Sequence, residues 1–250
     1  MHRFYLPPEE CREATLTLRE REAHHALHVL RIQDGERVVI LDGAGQELSC
    51  IVRSHDRTSV SLEAIERRTV PPLPYSITLL QAIPKGKIIE DIIQKATELG
   101  AARIVPILSE RVVTHLDAEN AEAKSAKWRS VAVEAIKQCG NAWLPKVEVP
   151  MTPETFLSRK EPFELPLIGC LESDVRHPRE CFKQFFAEHK RQPRSLCVWV
   201  GPEGDFSPAE YRAIKQAGAL PVTLGPLVLR TETAATFCLS VLNYELQAPR

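Results

Sequence analysis

The sequence lacks any apolar run near the ~20 residues that a membrane-spanning helix requires, and residues 1–5 lack the apolar core of a secretory signal. It also lacks internal repeats and low-complexity tracts. Hydrophobic residues make up 44% of the chain and charged residues 26%, as in ordinary globular proteins, so a disordered chain is excluded. We therefore expect a folded cytoplasmic protein with one large or two smaller cores.

Cysteine occurs seven times, but the count is odd and no two cysteines form a C-x-x-C pair. Most cysteines lie within apolar runs such as Leu196-Cys197-Val198, so we expect buried thiols in a reducing compartment. His24 and His28 are spaced to share a helix face, yet no cysteine or third ligand near them completes a metal site. No metal is expected.

The chain also lacks an excess of positive charge, since its formal net charge is −1. This value argues against a broad electrostatic coating of nucleic acid and allows only a local basic patch. Residues 1–70 contain more acidic than basic side chains, so only folding could sort a basic face from them. A mixed, solvated surface is the alternative for this part of the chain.

Residues 37–65 alternate between apolar and polar positions with the two-residue period of half-buried strands. Asp42-Gly43 supplies a turn between two of these strands. The pattern predicts a small β-barrel-like domain. The prolines of residues 71–74 then form a stiff, extended stretch, so we place the domain boundary there, with one domain at 1–70 and another at 75–250.

Beyond residue 75 the pattern changes to short apolar strands separated by helical periods, which is typical of a layered α/β domain. Strands are predicted around residues 77–80, 104–107, 165–168, 196–200 and 221–224. Helices are predicted from residue 88 to Gly100, around 128–139, from Ser207 and from about Thr233. Ser207-Pro208-Ala209-Glu210 combines a helix cap, a first-turn proline and a capping-box glutamate.

Two glycine-bearing loops follow what we take to be neighbouring strands, where open α/β sheets bind ligands. They are residues 201–206, with the sequence GPEGDF, and residues 224–234, with the sequence LGPLVLRTETA. Neither contains a P-loop or a dinucleotide-binding fingerprint. Leu224, Leu227 and Leu229 would sandwich a flat ring while backbone groups read its polar edge. Adenosine in S-adenosylmethionine fits better than ATP or NAD, and a plain tight turn is the alternative for the first loop.

Four segments of the chain resemble the RsmE family of SPOUT methyltransferases, and together they span nearly its whole length. The segments are Gly201-Pro202-Glu203-Gly204, residues 229–234, residues 94–100 (QKATELG), and Arg3-Phe4-Tyr5 followed by residues 25–31. The resemblance implies a small N-terminal PUA-like RNA-binding β-barrel, a C-terminal trefoil-knotted SPOUT domain and a homodimer. It also implies S-adenosylmethionine-dependent methylation of uridine N3 in 16S ribosomal RNA of the small ribosomal subunit.

With that resemblance we expect a set of cofactor-binding residues along three stretches of the chain. They are Cys170, Leu171, Gly201, Pro202, Glu203, Gly204, Asp205, Leu224, Gly225, Leu227, Leu229 and Thr233. Arg3, His25 and Arg31 are expected to contact RNA phosphates. The chain departs from the family pattern at Asp205, where a second glycine is usual, and at Asn141, where an arginine is common.

Arg230 is the expected catalytic residue. Uracil N3 carries a proton whose pKa lies above neutrality, so methylation requires stabilisation of the negative charge that O2 and O4 share. A guanidinium in a dry site would provide this through paired, charge-assisted hydrogen bonds. The alternative for Arg230 is a helix-start salt bridge to Glu232 or to another carboxylate. Glu203 is expected to hold the cofactor ribose or to orient a loop, and the alternative is that it only accepts backbone hydrogen bonds in its turn. For Thr231 and Thr233 the alternative is a cap on the last helix.

Three other functions remain open from the sequence. The first is a SPOUT methyltransferase with a transfer RNA or large-subunit target, which mapping of the modified nucleotide would identify. The second is an RNA-binding assembly protein without turnover, which would bind no S-adenosylmethionine. The third is a Rossmann-type oxidoreductase, which the α/β pattern favours and the missing dinucleotide fingerprint opposes.

Overall fold

A computed structural model describes residues 1–111, 118–171 and 175–247. The chain divides into two compact units: unit 1 comprises Met1–Pro72 with Val133–Leu144, and unit 2 comprises Leu73–Ala132 with Pro145–Arg250. Residues 133–144 therefore group with the N-terminal part of the chain. The predicted division into domains at 1–70 and 75–250 places this segment in the second domain, and it stays a prediction.

Unit 1 contains a five-stranded sheet with the order β1-β3-β4-β5-β2. Its strands are β1 (His2–Tyr5), β2 (Thr15–Leu18), β3 (Arg37–Leu41), β4 (Gln46–His55) and β5 (Val60–Thr69). Strand β1 runs parallel to β3, and the other pairs are antiparallel. The three strands predicted between residues 37 and 65 are confirmed. Buried side chains alternate along β4 and the first half of β5, whereas four consecutive residues of β3 are buried.

Both edge strands of this sheet contribute to a single core, in which Phe4 packs with Leu16 and Leu18. Register shifts between β4 and β5 mark β-bulges, which increase the local twist and let the sheet curve around that core. Helix α1 (Glu20–His24) continues as a π-helical turn over His25–Leu30 and ends at Arg31, whose φ of 53° is left-handed.

Unit 2 contains a six-stranded, all-parallel sheet with the order β11-β9-β10-β6-β7-β8. Its strands are β6 (Ser76–Ala82), β7 (Arg103–Ile107), β8 (Lys146–Val147), β9 (Leu165–Gly169), β10 (Ser195–Val200) and β11 (Leu220–Val222). The predicted strands are thereby confirmed. Such strands are covered on both faces, which explains why β6, β7 and β10 read as nearly continuous apolar runs.

The remaining helices lie around this sheet or lead out of it. They are α2 (Ile88–Glu98), α3 (Ala118–Cys139), α4 (Pro153–Ser158), α5 (Pro178–His189), α6 (Pro208–Gln216) and α7 (Thr231–Gln247). The capping box at Ser207 and Glu210 is confirmed, with both of its hydrogen bonds formed. Helix α7 begins at Thr231 rather than at about Thr233.

Strand β9 lies between β10 and β11, so the two glycine-bearing loops do not follow neighbouring strands as expected. Val222 of β11 pairs with Gly169 of β9, and Trp199 of β10 pairs with Ile168. A dinucleotide-binding sheet would place β9, not β10, beside β6. The observed strand order therefore does not support the oxidoreductase alternative.

Candidate functional site

A cleft of about 240 Å³ opens at the carboxyl ends of β9, β10 and β11. Three stretches of the chain line it, and each continues one of these strands. They are residues 169–171, residues 200–205 without Gly204, and residues 223–234 without Arg230, Glu232 and Thr233. The expectation that the two glycine-bearing loops share one space is confirmed, although the end of β9 separates them.

Most of the residues expected to bind a cofactor line this cleft. Those that do are Cys170, Leu171, Gly201, Pro202, Glu203, Asp205, Leu224, Gly225, Leu227 and Leu229. Gly204 and Thr233 are not among the lining residues. The sequence reasoning missed Gly169, Val200, Thr223, Pro226, Val228, Thr231 and Ala234, each of which lies next to or within an expected stretch.

The first loop is a tight turn in which Gly201 has no room for a side chain. A Cβ on Gly201 would lie 2.7 Å from Asp205 Oδ1 and 3.2 Å from Asp205 Cα. Asp205 itself has a φ of 60°, and its Oδ1 accepts a 2.7 Å hydrogen bond from the Phe206 N–H. The residue at this position thus has a short polar side chain, of the kind that tolerates left-handed backbone.

The second loop presents apolar side chains to solvent at the rim of the cleft. Leu227 is 73% exposed and Val228 is 78% exposed. Leu224 lies lower in the cleft, where a Cβ on Gly169 would come within 3.2 Å of Leu224 Cδ1. Exposed apolar side chains beside backbone polar groups are typical of a site that binds a flat, partly apolar ligand.

The Thr231 hydroxyl joins the two loops. Its Oγ1 donates a 2.8 Å hydrogen bond to the Gly201 carbonyl and accepts a 2.9 Å bond from Gln81 Nε2. Gln81 is completely buried at the end of β6, and its Nε2 also donates to the Ala82 carbonyl. Thr231 therefore fixes the start of α7 to the first loop, a role that goes beyond the helix cap expected from the sequence.

Arg230 is exposed and lies between two lining residues, Leu229 and Thr231. Across the part of the chain that the structure describes, its guanidinium forms no ion pair, so the alternative of a helix-start salt bridge is not supported. Glu203 accepts a 3.1 Å hydrogen bond from the Lys85 N–H. The donor lies outside the turn of Glu203, so this bond connects the first loop to the segment before α2.

The three residues expected to contact RNA all belong to unit 1. The guanidinium of Arg3 donates to the carbonyls of Lys137 and Gln138, at 3.4 and 3.2 Å, and so caps the end of α3. His25 is half-buried and its ring forms a T-shaped pair with that of Phe4, whereas Arg31 is exposed. Asn141 Oδ1 accepts a hydrogen bond from the Trp143 N–H. Contact of Arg3, His25 and Arg31 with RNA stays a prediction.

Six of the seven cysteines are buried free thiols, as expected, but Cys139 is exposed. Within residues 1–111, 118–171 and 175–247, no three histidine, cysteine or acidic side chains cluster closely enough to hold a metal ion. Over the same residues, no helix combines the length and the hydropathy needed to cross a membrane.

The chain matches two family models. Residues 71–243 match an RNA methyltransferase domain, and residues 18–65 match an RNA methyltransferase PUA domain. Ribosomal RNA small subunit methyltransferase E of Bacillus subtilis is 30% identical, with all of this chain and 99% of the relative covered. The protein of the same name in Mycobacterium bovis is 33% identical over 89% of this chain and 83% of its own length.

Solved structures of similar proteins share the whole fold. A methyltransferase of Legionella pneumophila, solved with the cofactor S-adenosylmethionine, superimposes with a TM-score of 0.86 at 33% identity and covers 96% of both chains. Ribosomal RNA small subunit methyltransferase E of Neisseria gonorrhoeae, also bound to S-adenosylmethionine, gives a TM-score of 0.83 at 28% identity. It covers 97% of this chain and 96% of its own. The expected fold class, a PUA-like domain followed by a SPOUT-type α/β domain, is thereby confirmed.

Proposed function

Because the chain belongs to the ribosomal RNA small subunit methyltransferase E family, we propose that it methylates N3 of a uridine in 16S ribosomal RNA, with S-adenosylmethionine as the methyl donor. The single observation that carries this proposal is the cleft at the ends of β9, β10 and β11, with exposed apolar side chains among its lining residues. The RNA substrate would be met in the cytoplasm, within or on the way to the small ribosomal subunit.

The residues of the cleft suit an adenosine group without phosphates. Leu224, Leu227 and Leu229 offer apolar surface for the adenine ring, and the loop backbones offer polar groups for its edge. Gly201 lets the first loop fold tightly enough to bring its backbone to the cleft. When bound there, S-adenosylmethionine supplies an electrophilic methyl group.

Arg230 would supply the charge that the reaction requires. Loss of the N3 proton places negative charge on uracil O2 and O4, and a guanidinium beside the cleft stabilises that charge with paired hydrogen bonds. Because no described residue forms an ion pair with it, the Arg230 guanidinium is available for a base. The remaining contribution is alignment of N3 with the methyl group for in-line transfer.

The test of this role compares Arg230→Ala and Arg230→Lys with the unaltered protein. We expect methyl transfer to 16S ribosomal RNA to fall about 100-fold or more in Arg230→Ala, as when other preorganised charge-stabilising donors are removed. Arg230→Lys should recover part of the rate, because a lysine keeps the charge without the paired donors. Calorimetry should give similar affinities for S-adenosylmethionine in all three proteins, and near-normal turnover of Arg230→Ala would remove the residue from the mechanism.

Three further family features belong to this proposal. Arg3, His25 and Arg31 of residues 1–70 would contact RNA phosphates, residues 75–250 would form the knotted methyltransferase domain, and the protein would act as a homodimer. Phe237 and Tyr244 on α7 favour the dimer, because they lie seven positions apart on one helix face and are 39% and 66% exposed. Sedimentation of Tyr244→Glu tests it: the variant should be monomeric, and an unchanged dimer would exclude this face.

A further inference from the structure

A group of exposed basic side chains lies beside the first cleft loop, outside the residues that line the cleft. Lys85 and Lys87 come from the segment between β6 and α2, and Arg111 comes from the segment after β7. Two contacts join both segments to the loop. The Lys85 N–H donates to Glu203, and the Arg111 guanidinium donates to the Gly204 carbonyl. The segment that carries both lysines and the segment that carries Arg111 therefore each contact residues 203–204.

A buried carboxylate holds the segment that carries Arg111. Glu210, only 8% exposed, accepts 2.9 Å hydrogen bonds from the Ser109 hydroxyl, the Glu110 N–H and the Ser207 N–H. Three donors to one buried carboxylate fix the residues immediately before Arg111 against the start of α6. The position of Arg111 is thus set before any ligand arrives.

The charges of these side chains are not neutralised by carboxylates in the parts of the chain that the structure describes. No ion pair to Lys85, Lys87 or Arg111 occurs there, and the nearby acidic residue Glu90 is paired with Lys127. The Glu203 carboxylate also lies beside this surface, but its Oε1 accepts a hydrogen bond from the Lys85 backbone N–H. Gly86, between the two lysines, has a φ of 70° and open space around its Cα, so both lysines flank an exposed turn.

We propose that Lys85, Lys87 and Arg111 form a phosphate-binding surface that holds the RNA backbone beside the cleft, which we call the loop-edge cation surface. The inference rests on the proposed function, since it assigns substrate contacts to the same site. A base can enter a narrow pocket only if its nucleotide leaves the stack, and phosphate contacts then fix the flanking backbone. Exposed lysines provide such contacts because an ammonium group binds phosphate as a point charge.

The surface is suited to RNA rather than to the methyl donor. S-adenosylmethionine carries no phosphate, and none of the three cations lines the cleft. RNA binding at this surface should therefore depend strongly on salt, whereas cofactor binding should not.

The experiment compares Lys85→Ala/Lys87→Ala with a control that loses the same charge elsewhere. Lys183→Ala/Lys190→Gly serves as the control, because both lysines are exposed on or after α5 and Lys190 has a left-handed φ of 57°, which glycine accepts. Affinity for isolated 16S ribosomal RNA is measured between ~50 and ~200 mM salt, a range over which phosphate contacts weaken strongly. Affinity for S-adenosylmethionine and the thermal midpoint are measured in parallel.

We expect Lys85→Ala/Lys87→Ala to weaken RNA binding about tenfold. The slope of log affinity against log salt concentration should become shallower by about 1.4, since each single-strand phosphate contact contributes about 0.7 to that slope. Cofactor affinity and thermal midpoint should match those of the control. Arg111→Ala should weaken RNA binding further when added to the pair.

RNA affinity and salt dependence equal to those of the control would overturn the loop-edge cation surface, even if the unaltered protein methylates RNA normally. A large loss of cofactor affinity in Lys85→Ala/Lys87→Ala would overturn it as well, because it would assign the lysines to the methyl donor. Failure of the unaltered protein to bind S-adenosylmethionine or to transfer a methyl group would instead refute the proposed function. The salt dependence of RNA binding tests the surface separately from that result.

Discussion

Replacing Thr231 with valine keeps the shape of the side chain but removes the hydroxyl that joins the two cleft loops. The Gly201 carbonyl would lose its 2.8 Å donor, and Gln81 would keep only its bond to the Ala82 carbonyl. Thr231 is 4% exposed and Gln81 is fully buried, so water cannot easily replace the lost partners. At ~1–3 kcal/mol for a buried group left unsatisfied, we expect Thr231→Val to lower the free energy of unfolding by about 2–3 kcal/mol.

The same substitution should weaken binding of S-adenosylmethionine about tenfold, because part of the binding free energy must then order the first loop. Thr231→Ser is the matched control: it keeps the hydroxyl and loses one methyl group, worth about 0.8 kcal/mol. Urea denaturation and calorimetry measure the two effects. If Thr231→Val were as stable as Thr231→Ser and bound the cofactor with unchanged affinity, the hydroxyl would have no linking role.

Three further predictions concern the glycines, the cysteines and the acid response. Gly201→Ala should weaken cofactor binding more than tenfold, because its Cβ would meet Asp205. Gly204→Ala should bind the cofactor normally, because its Cβ meets only an Arg111 carbon at 3.7 Å. Equal cofactor affinities of the two variants would contradict this. Alkylation of the folded protein at neutral pH should label Cys139 first, because it is the exposed thiol, and burial raises the pKa of Cys11, Cys50, Cys181, Cys197 and Cys238, that of Cys238 to about 12. Mass spectrometry that shows a different order of labelling would contradict this. Hydrogen bonds from Arg191 and from the backbone lower the pKa of Glu164 from 4.5 to about 2, so its stabilisation is present above pH 4.5 and is lost as the pH falls towards 2. For this half-exposed pair the loss is at most ~1 kcal/mol, and Glu164→Gln should lack it in urea denaturation at low pH.

Local features of the fold could be predicted because they depend on residues close in sequence. The capping box from Ser207 to Glu210 is one turn long, and the apolar run of β10 reports burial on both faces. The glycine-bearing loops were recognisable for the same reason. Each follows a strand directly, so its place at the sheet edge is fixed by local order.

The order of the strands could not be predicted in this way. Whether β9 or β10 lies beside β6 depends on the packing of the whole sheet, which the local sequence of neither strand specifies. As a result the contribution of Gly169 and Val200 to the cleft was missed, although each adjoins an expected residue. The second role of Arg3 was hidden for a similar reason, because its hydrogen-bond partners at Lys137 and Gln138 are far away in the sequence.

The most direct test of methyl transfer to uridine N3 is to map modified nucleotides by mass spectrometry in 16S ribosomal RNA from cells with and without this protein. We expect one N3-methyluridine to be absent from the cells that lack it, and to reappear when the protein but not Arg230→Ala is supplied. An unchanged set of modified nucleotides in 16S ribosomal RNA would contradict the assignment.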